Sequence, residues 1–332
     1  MNPPASATAQ ASKAKLALAF AALFTIWGST YLAIKFAIET IPPYLMSGAR
    51  FTVAGAILYL IARLRGSPNP TGKEWKDGAI VGTLLLTCGN GVVGWAEQKV
   101  PSGITALLVA SVPIWMVLID WARPNGKRPT LVITVGLLLG LAGVGILAAP
   151  GFGDEAKPGV ALGAAMLIFG SIAWAAGSIY SRQSARPESA QMSTAVQMLT
   201  GSITLFLVGI VMGELGRLDV AGISSKSILA WAYLVTFGAI IGFTAYAYVL
   251  RETTPAKAST YAYVNPVIAV LLGWGVRQRA DHDAHRDRRG HHPRWCGNHL
   301  AQESGRLTVR SSGWRRRRRR RRNARRQHGS GW

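Results

Sequence analysis

Residues Thr25 to Lys35 read TIWGSTYLAIK, and part of this stretch returns later in the chain. Gly28-Ser29-Thr30-Tyr31 comes back as Gly177-Ser178-Ile179-Tyr180, 149 positions on, and Trp27 is echoed by Trp174 in an equally apolar surrounding. Pro113 stands eight residues before Trp121, and Pro266 stands eight before Trp274, 153 positions on. Two short matches in the same order and at nearly the same distance are what internal duplication in a membrane protein produces.

Composition divides the 332 residues at Val276. Residues 1–276 hold 19 Lys and Arg against 11 Asp and Glu; residues 277–332 hold 18 Arg against 4 acids, and all six histidines. The two pieces therefore need separate readings. The first is that of an all-α polytopic membrane protein, because apolar runs of about 20 residues can cross a hydrocarbon core of about 30 Å. Nine such runs are visible, near 16–38, 44–62, 77–96, 102–121, 130–149, 158–180, 191–212, 228–250 and 256–275. Met1 to Ser12 is small and polar without a cleavage site, so it reads as a tail and not a signal peptide. Cys88 and Cys296 do not make a disulfide framework.

Charge sets the expected orientation. With a cytoplasmic N-terminus, thirteen Lys and Arg fall in inside segments, among them Arg63, Lys73, Arg123, Arg182 and Arg251, and only Lys99, Lys157, Arg217 and Lys226 fall outside. Five spans separate Trp27 from Trp174, and an odd number reverses direction, so the halves form an inverted repeat of five-helix bundles. Such repeats place a solute site at their interface near the midplane, and rocking about it opens each side in turn. The expected organisation is a tail at 1–14, a first repeat of five spans at 15–150, a second with four at 157–276, and a basic disordered tail at 277–332. The tenth span that would complete the second repeat is missing. In its place the chain is rich in Arg, His, Trp and Gly without Lys, up to the block Arg315 to Arg322. A one-base slip that turns GCC codons for Ala into CGC codons for Arg accounts for that switch, so the tail reads as frame-shifted.

IWGSTY at Ile26 to Tyr31, PPYLMSGARF at Pro42 to Phe51, VPSGITALLVASVP at Val100 to Pro113 and YAYVNPVIAVLLG at Tyr261 to Gly273 resemble the drug/metabolite transporter superfamily, specifically bacterial EamA-type permeases. The resemblance covers about residues 15–275. It implies a ten-helix carrier of small metabolites or drugs in the inner membrane, built from two EamA repeats.

Within the spans, two cations stand out. Lys35 lies near an outer end and is expected to snorkel, with Glu39 or Glu97 as counter-ion. Arg50 is deeper, where a charge is costly unless it pairs or faces a cavity; facing a cavity, it would hold a carboxylate or phosphate through paired N–H donors. The aromatic and amide residues Trp27, Tyr31, Asn90, Trp174, Tyr180, Gln197, Tyr246, Tyr261, Tyr263 and Asn265 supply the rest of a substrate site, although Trp95, Trp121 and Trp231 fit interfacial anchoring better. Buried amides also serve as glue between helices, and that reading stays open for Asn90, Gln197 and Asn265. Pro113 and Pro266, equivalent in the two halves, are candidate hinges. Gly136, Gly140 and Gly143 suggest close helix packing.

Catalysis is the first alternative. Residues before His282 contain no histidine and one cysteine, which removes Ser-His, Cys-His and His-ligated metal chemistry from the membrane part. Neither a catalytic residue, a metal nor a cofactor is expected. A tail that binds acidic lipid or nucleic acid by charge alone is a second alternative, and a transport-defective protein with a truncated repeat a third. No charge ring or filter loop marks a channel. The expected partners are a small-molecule substrate and the lipid bilayer, with a homodimer left open and no specific nucleic acid.

Overall fold

The computed structural model describes residues 5–124, 126, 128–148 and 159–272. Trp274, Gly275 and the basic tail lie outside the described residues, which contain helices, turns and no strand. Among the described residues, seven helices are long and apolar enough to cross a membrane: α1 Lys13–Ala37, α2 Pro43–Leu64, α3 Gly72–Ala96, α4 Ile104–Ala122, α6 Val160–Ser181, α7 Ala190–Val211 and α8 Ser225–Glu252. Between α4 and α6 lies α5, Leu131–Ala148, and after α8 comes α9 over residues 261–272. The fifth and ninth expected spans fall on these two, the latter described over part of its expected length. Helices are what such sequences must form in lipid, where every backbone N–H and C=O needs an internal partner.

The helix ends show where the remaining donors go. Pro43 opens α2, where a missing N–H costs nothing. The next two amides, of Tyr44 and Leu45, both donate to Glu214 Oε2, at 3.0 and 2.9 Å. Glu214 follows α7 in sequence and is fully buried, so a carboxylate from the second half caps a helix of the first and meets its positive dipole end. Thr71 and Glu74 make a reciprocal capping box at the start of α3. Ser189 and Ser224 cap α7 and α8.

The centre is held by α7 against α2 and α3. A Cβ on Gly201 would stand 2.8 Å from the Gly82 carbonyl oxygen, so only glycine lets the α3 and α7 backbones come this close. Gly136 was expected to pack in the same way. It does not: nothing lies within 4 Å of a Cβ built there, and its neighbours Val135, Leu138 and Leu139 are exposed, because α5 presents this stretch outward. Glu39 is not the counter-ion of Lys35 either. Lys226 takes it, with Nζ 2.6 Å from Glu39 Oε1 and 4.0 Å from the centre of the Phe36 ring.

Among the described residues three stretches are π-helical, Leu23–Trp27 in α1, Thr83–Gly91 in α3 and Leu234–Ile241 in α8. The second and third begin at positions 151 apart. Each lies between a shorter α-helix and its continuation, Gly72–Gly82 and Val92–Ala96 in one case, Ser225–Tyr233 and Gly242–Glu252 in the other. Wide turns of this kind gather at functional sites, because they re-aim side chains within a helix.

Candidate functional site: a cavity at the meeting of six helices

The three π-helical stretches converge. Trp27 ends the first, and its indole N–H donates to the carbonyl of Gly238, in the third, at 3.2 Å. Arg50 comes from α2 and packs against the same glycine: a Cβ on Gly238 would lie 2.9 Å from Arg50 Nη2 and 3.1 Å from Thr30 Cγ2. Asn90, in the second stretch, accepts from Arg50 Nη1 at 3.5 Å, the long limit of a hydrogen bond. Around these groups lies a cavity of about 70 Å³. Its walls come from α1, α2, α3, α4, α6 and α9.

Seven of the residues singled out from sequence line this cavity: Trp27, Tyr31, Arg50, Asn90, Trp174, Tyr261 and Asn265. Arg50 is 1% exposed, and its Nε has no hydrogen-bond partner among the described residues. Asn265 Oδ1 is likewise buried and unpartnered. Such groups cost free energy unless something satisfies them. A cationic donor and a neutral acceptor thus face one hollow otherwise walled by Ile34, Val93, Val109, Val112 and Leu167.

The other four stand elsewhere. Tyr246 is buried behind the cavity, where its hydroxyl accepts from Trp174 Nε1 at 3.2 Å and pairs with Ser178 Oγ at 2.6 Å. Tyr180 donates to Asp77 Oδ1 at 2.9 Å, and Asp77 Oδ2 takes the Ala185 amide at 2.7 Å. Gln197 donates to Ser193 and borders a separate hollow with Arg186. Tyr263 donates to the Leu137 carbonyl of α5 at 3.2 Å. Thr30 and Ser171 also line the cavity; Thr30 lies inside the repeated motif but was not singled out as a site residue, and nothing around Ser171 sets it apart in the sequence.

An aromatic cluster borders the cavity. The Trp27 ring meets Trp174 at 5.6 Å, Phe243 at 5.3 Å, Tyr246 at 5.1 Å and Tyr261 at 5.0 Å, mostly in tilted or edge-on pairs. Such pairs add about 0.5–1.5 kcal/mol each beyond the area they bury. Together they tie α1, α6, α8 and α9 at one point.

The two proline positions differ. α4 is broken into Ser102–Val109 and Val112–Ala122, with Pro113 at the start of the second piece. The Leu108 carbonyl at the break accepts from Ser111 Oγ at 2.6 Å and from Ser171 Oγ at 3.3 Å. Pro266 lies in the uninterrupted helical run 261–272.

Comparison with known proteins gives this site its family. The model of the EamA-like transporter family matches the chain twice, over residues 14–149 and 161–280. The chain belongs to the EamA-like transporter family. It is 40% identical over 257 residues to the Uncharacterized inner membrane transporter YedA of Escherichia coli (strain K12), covering 77% of this chain and 80% of that one. The Uncharacterized transporter YvbV of Bacillus subtilis (strain 168) is 23% identical over 79% of this chain and 84% of its own. A solved crystal structure shares the fold at a TM-score of 0.62 and 21% identity, covering 78% of this chain and 87% of that one. The EamA-like matches and the seven apolar helices together support a multi-pass transporter of the inner membrane.

Proposed function

We propose that the chain is a carrier of small solutes with an anionic group and an apolar body, moved by alternating access between two oppositely threaded halves. The observation that carries the solute class is Arg50. A guanidinium 1% exposed, whose Nε has no partner among the described residues, at the wall of a mainly apolar and aromatic cavity is poised for a carboxylate or phosphate. Asn265 and Asn90 supply polar contacts beside it. The aromatic rings supply the surface for the rest of the solute.

Support for two inverted halves comes from three directions. The family model matches twice, the α–π–α succession recurs in α3 and α8 at an offset of 151, and the tryptophans of the repeated motif meet beside the cavity. With the N-terminus in the cytoplasm, the basic ends of α2, α6 and α8 lie inside, as the charge distribution asks.

Tryptophan fluorescence of the purified full chain tests the solute class, because Trp27 and Trp174 line the cavity. Benzoate is expected to quench it saturably, benzylamine not. Arg50→Gln should weaken benzoate about tenfold or more and leave benzyl alcohol unchanged. Equal binding of benzoate and benzylamine, or no effect of Arg50→Gln, would overturn the anionic reading. For orientation, single cysteines placed by Lys13→Cys and Asp219→Cys, with Cys88→Ser and Cys296→Ser, should react with impermeant thiol reagents from opposite sides. Labelling of both from one side would remove the threading.

A further inference from the structure

Glu97 directly follows α3, and its surroundings differ from those of the other acidic residues. It is 8% exposed, and neither carboxylate oxygen has a hydrogen-bond partner among the described residues. Glu214, also buried, is occupied in capping α2; Asp77 is held by Tyr180 and the Ala185 amide; Glu39 is paired with Lys226. Among the buried carboxylates of the described residues, only Glu97 has both oxygens unmet, so in this conformation the neutral acid is the form that fits.

Two groups of α1 act on Glu97, the exposed ammonium of Lys35 and the hydroxyl of Tyr31 one turn earlier. Tyr31 also lines the cavity. The other neighbouring helices bring little charge. α6 offers Gly163 and Leu167, which pack near Val100 and Ala96. α2, which meets α3 through Pro43 at Gly94, has Tyr44 and Arg50 as its titratable side chains in this half, and α3 itself has Cys88. Burial holds the Glu97 carboxyl well above the usual carboxylate range, with Lys35 opposing that shift.

We propose that Glu97 is a proton-binding site: its carboxyl takes up and releases one proton as α1 moves against it, so that solute passage through the adjoining cavity carries a proton. The O–H bond forms with a proton from water at that face and breaks by returning it to water. The charge left behind is met by Lys35, which stands on the same helix as cavity residues Trp27, Thr30 and Tyr31. The site thus joins a proton to the helix that a solute must displace. It rests on the carrier reading above and names the ion that would drive it.

Infrared spectroscopy of the full chain, in vesicles of phosphatidylcholine and phosphatidylglycerol, tests the site without a transport assay. Wild type is expected to show the carbonyl stretch of a protonated carboxylic acid at neutral pH, lost on alkalinisation. Glu97→Gln should lack that band, Glu39→Gln should keep it, and Lys35→Gln should move its titration to higher pH. The Lys35 variant decides the matter if Glu97→Gln does not fold. Benzoate should change the band in wild type. A spectrum identical in wild type and Glu97→Gln at neutral pH would overturn the site. Benzoate that quenches tryptophan fluorescence while leaving the band untouched would overturn the coupling. If the band titrates as expected but benzoate fails to quench, the proton site stands and the anionic solute class falls.

Discussion

The indole rings of Trp27 and Trp174 meet edge to face, 5.6 Å between centroids and 84° between planes. They stand on α1 and α6, one from each copy of the family match, and each indole N–H is directed at α8: that of Trp27 to the Gly238 carbonyl, that of Trp174 to the Tyr246 hydroxyl. Two helices far apart in the chain are therefore registered against a third through a pair of hydrogen bonds.

Replacing Trp27 separates the ring from its N–H. Trp27→Phe keeps an edge against Trp174 but leaves the Gly238 carbonyl without this donor, and should cost about 1 kcal/mol. Trp27→Ala also empties the centre of the aromatic cluster and should cost about 3–5 kcal/mol. Thermal unfolding in detergent, followed by near-ultraviolet circular dichroism, ranks the two. Equal losses would mean that the hydrogen bond and not the ring carries the contact.

Gly238 is expected to tolerate nothing larger. In Gly238→Ala the new methyl meets Arg50 Nη2 and Thr30 Cγ2 at 2.9 and 3.1 Å, so Arg50 must move, at a cost of about 1–3 kcal/mol. Benzoate binding should weaken along with stability. Gly136→Ala, where nothing lies within 4 Å of the new methyl, serves as the control; an equal effect on binding there would remove the special position of Gly238.

Glu214→Ala should destabilise by about 1–2 kcal/mol, because the amides of Tyr44 and Leu45 lose their shared acceptor at a helix start. Glu214→Gln, which retains an acceptor oxygen, should cost less. Denaturant titration of both variants checks the order, and the reverse order would show that the cap is not what the carboxylate supplies.

The pH dependence of stability follows from Glu97. Its carboxyl is held above the usual range in the folded protein, so the folded state binds this proton more tightly than the unfolded one. That contribution is fully present below the unfolded value near pH 4.3 and declines as pH rises toward the folded one. Wild type should therefore lose stability relative to Glu97→Gln as pH is raised above the ordinary carboxylate range. A constant difference in melting temperature across that rise would contradict the shift.

Much of the architecture was legible because the bilayer leaves so few choices. Apolar length and proline or glycine punctuation marked the helices, and the repeated GS-Y motif marked two that meet. Arg50 was legible as a charge too deep to snorkel. Tyr31 and Tyr180 show the limit: they share a motif, yet only Tyr31 lines the cavity, while Tyr180 is held by Asp77. On the proposed opposite threading, motif partners away from the midplane sit at opposite depths, and an off-centre hollow can take only one of them. Glu97 was legible only as a possible counter-ion of Lys35, and its burial depends on α1 and α6 closing over it, which no local pattern records. The π-helical stretches carry no composition signal either, since TLLLTCGNG and LVTFGAII read as ordinary apolar helix.

Those three wide turns have a bearing on how the chain tolerates insertion and loss. Each accommodates backbone that a regular α-helix would not hold, and removing one residue from such a stretch lets the ladder close up again instead of breaking it. The half-helix beyond would then rotate by about 100° relative to the half before it. Shortening Thr83–Gly91 by a single residue ought to leave a continuous, membrane-length rod whose Asn90 and Val93 no longer face the cavity beside Arg50, a molecule with its scaffold intact and its lining turned away.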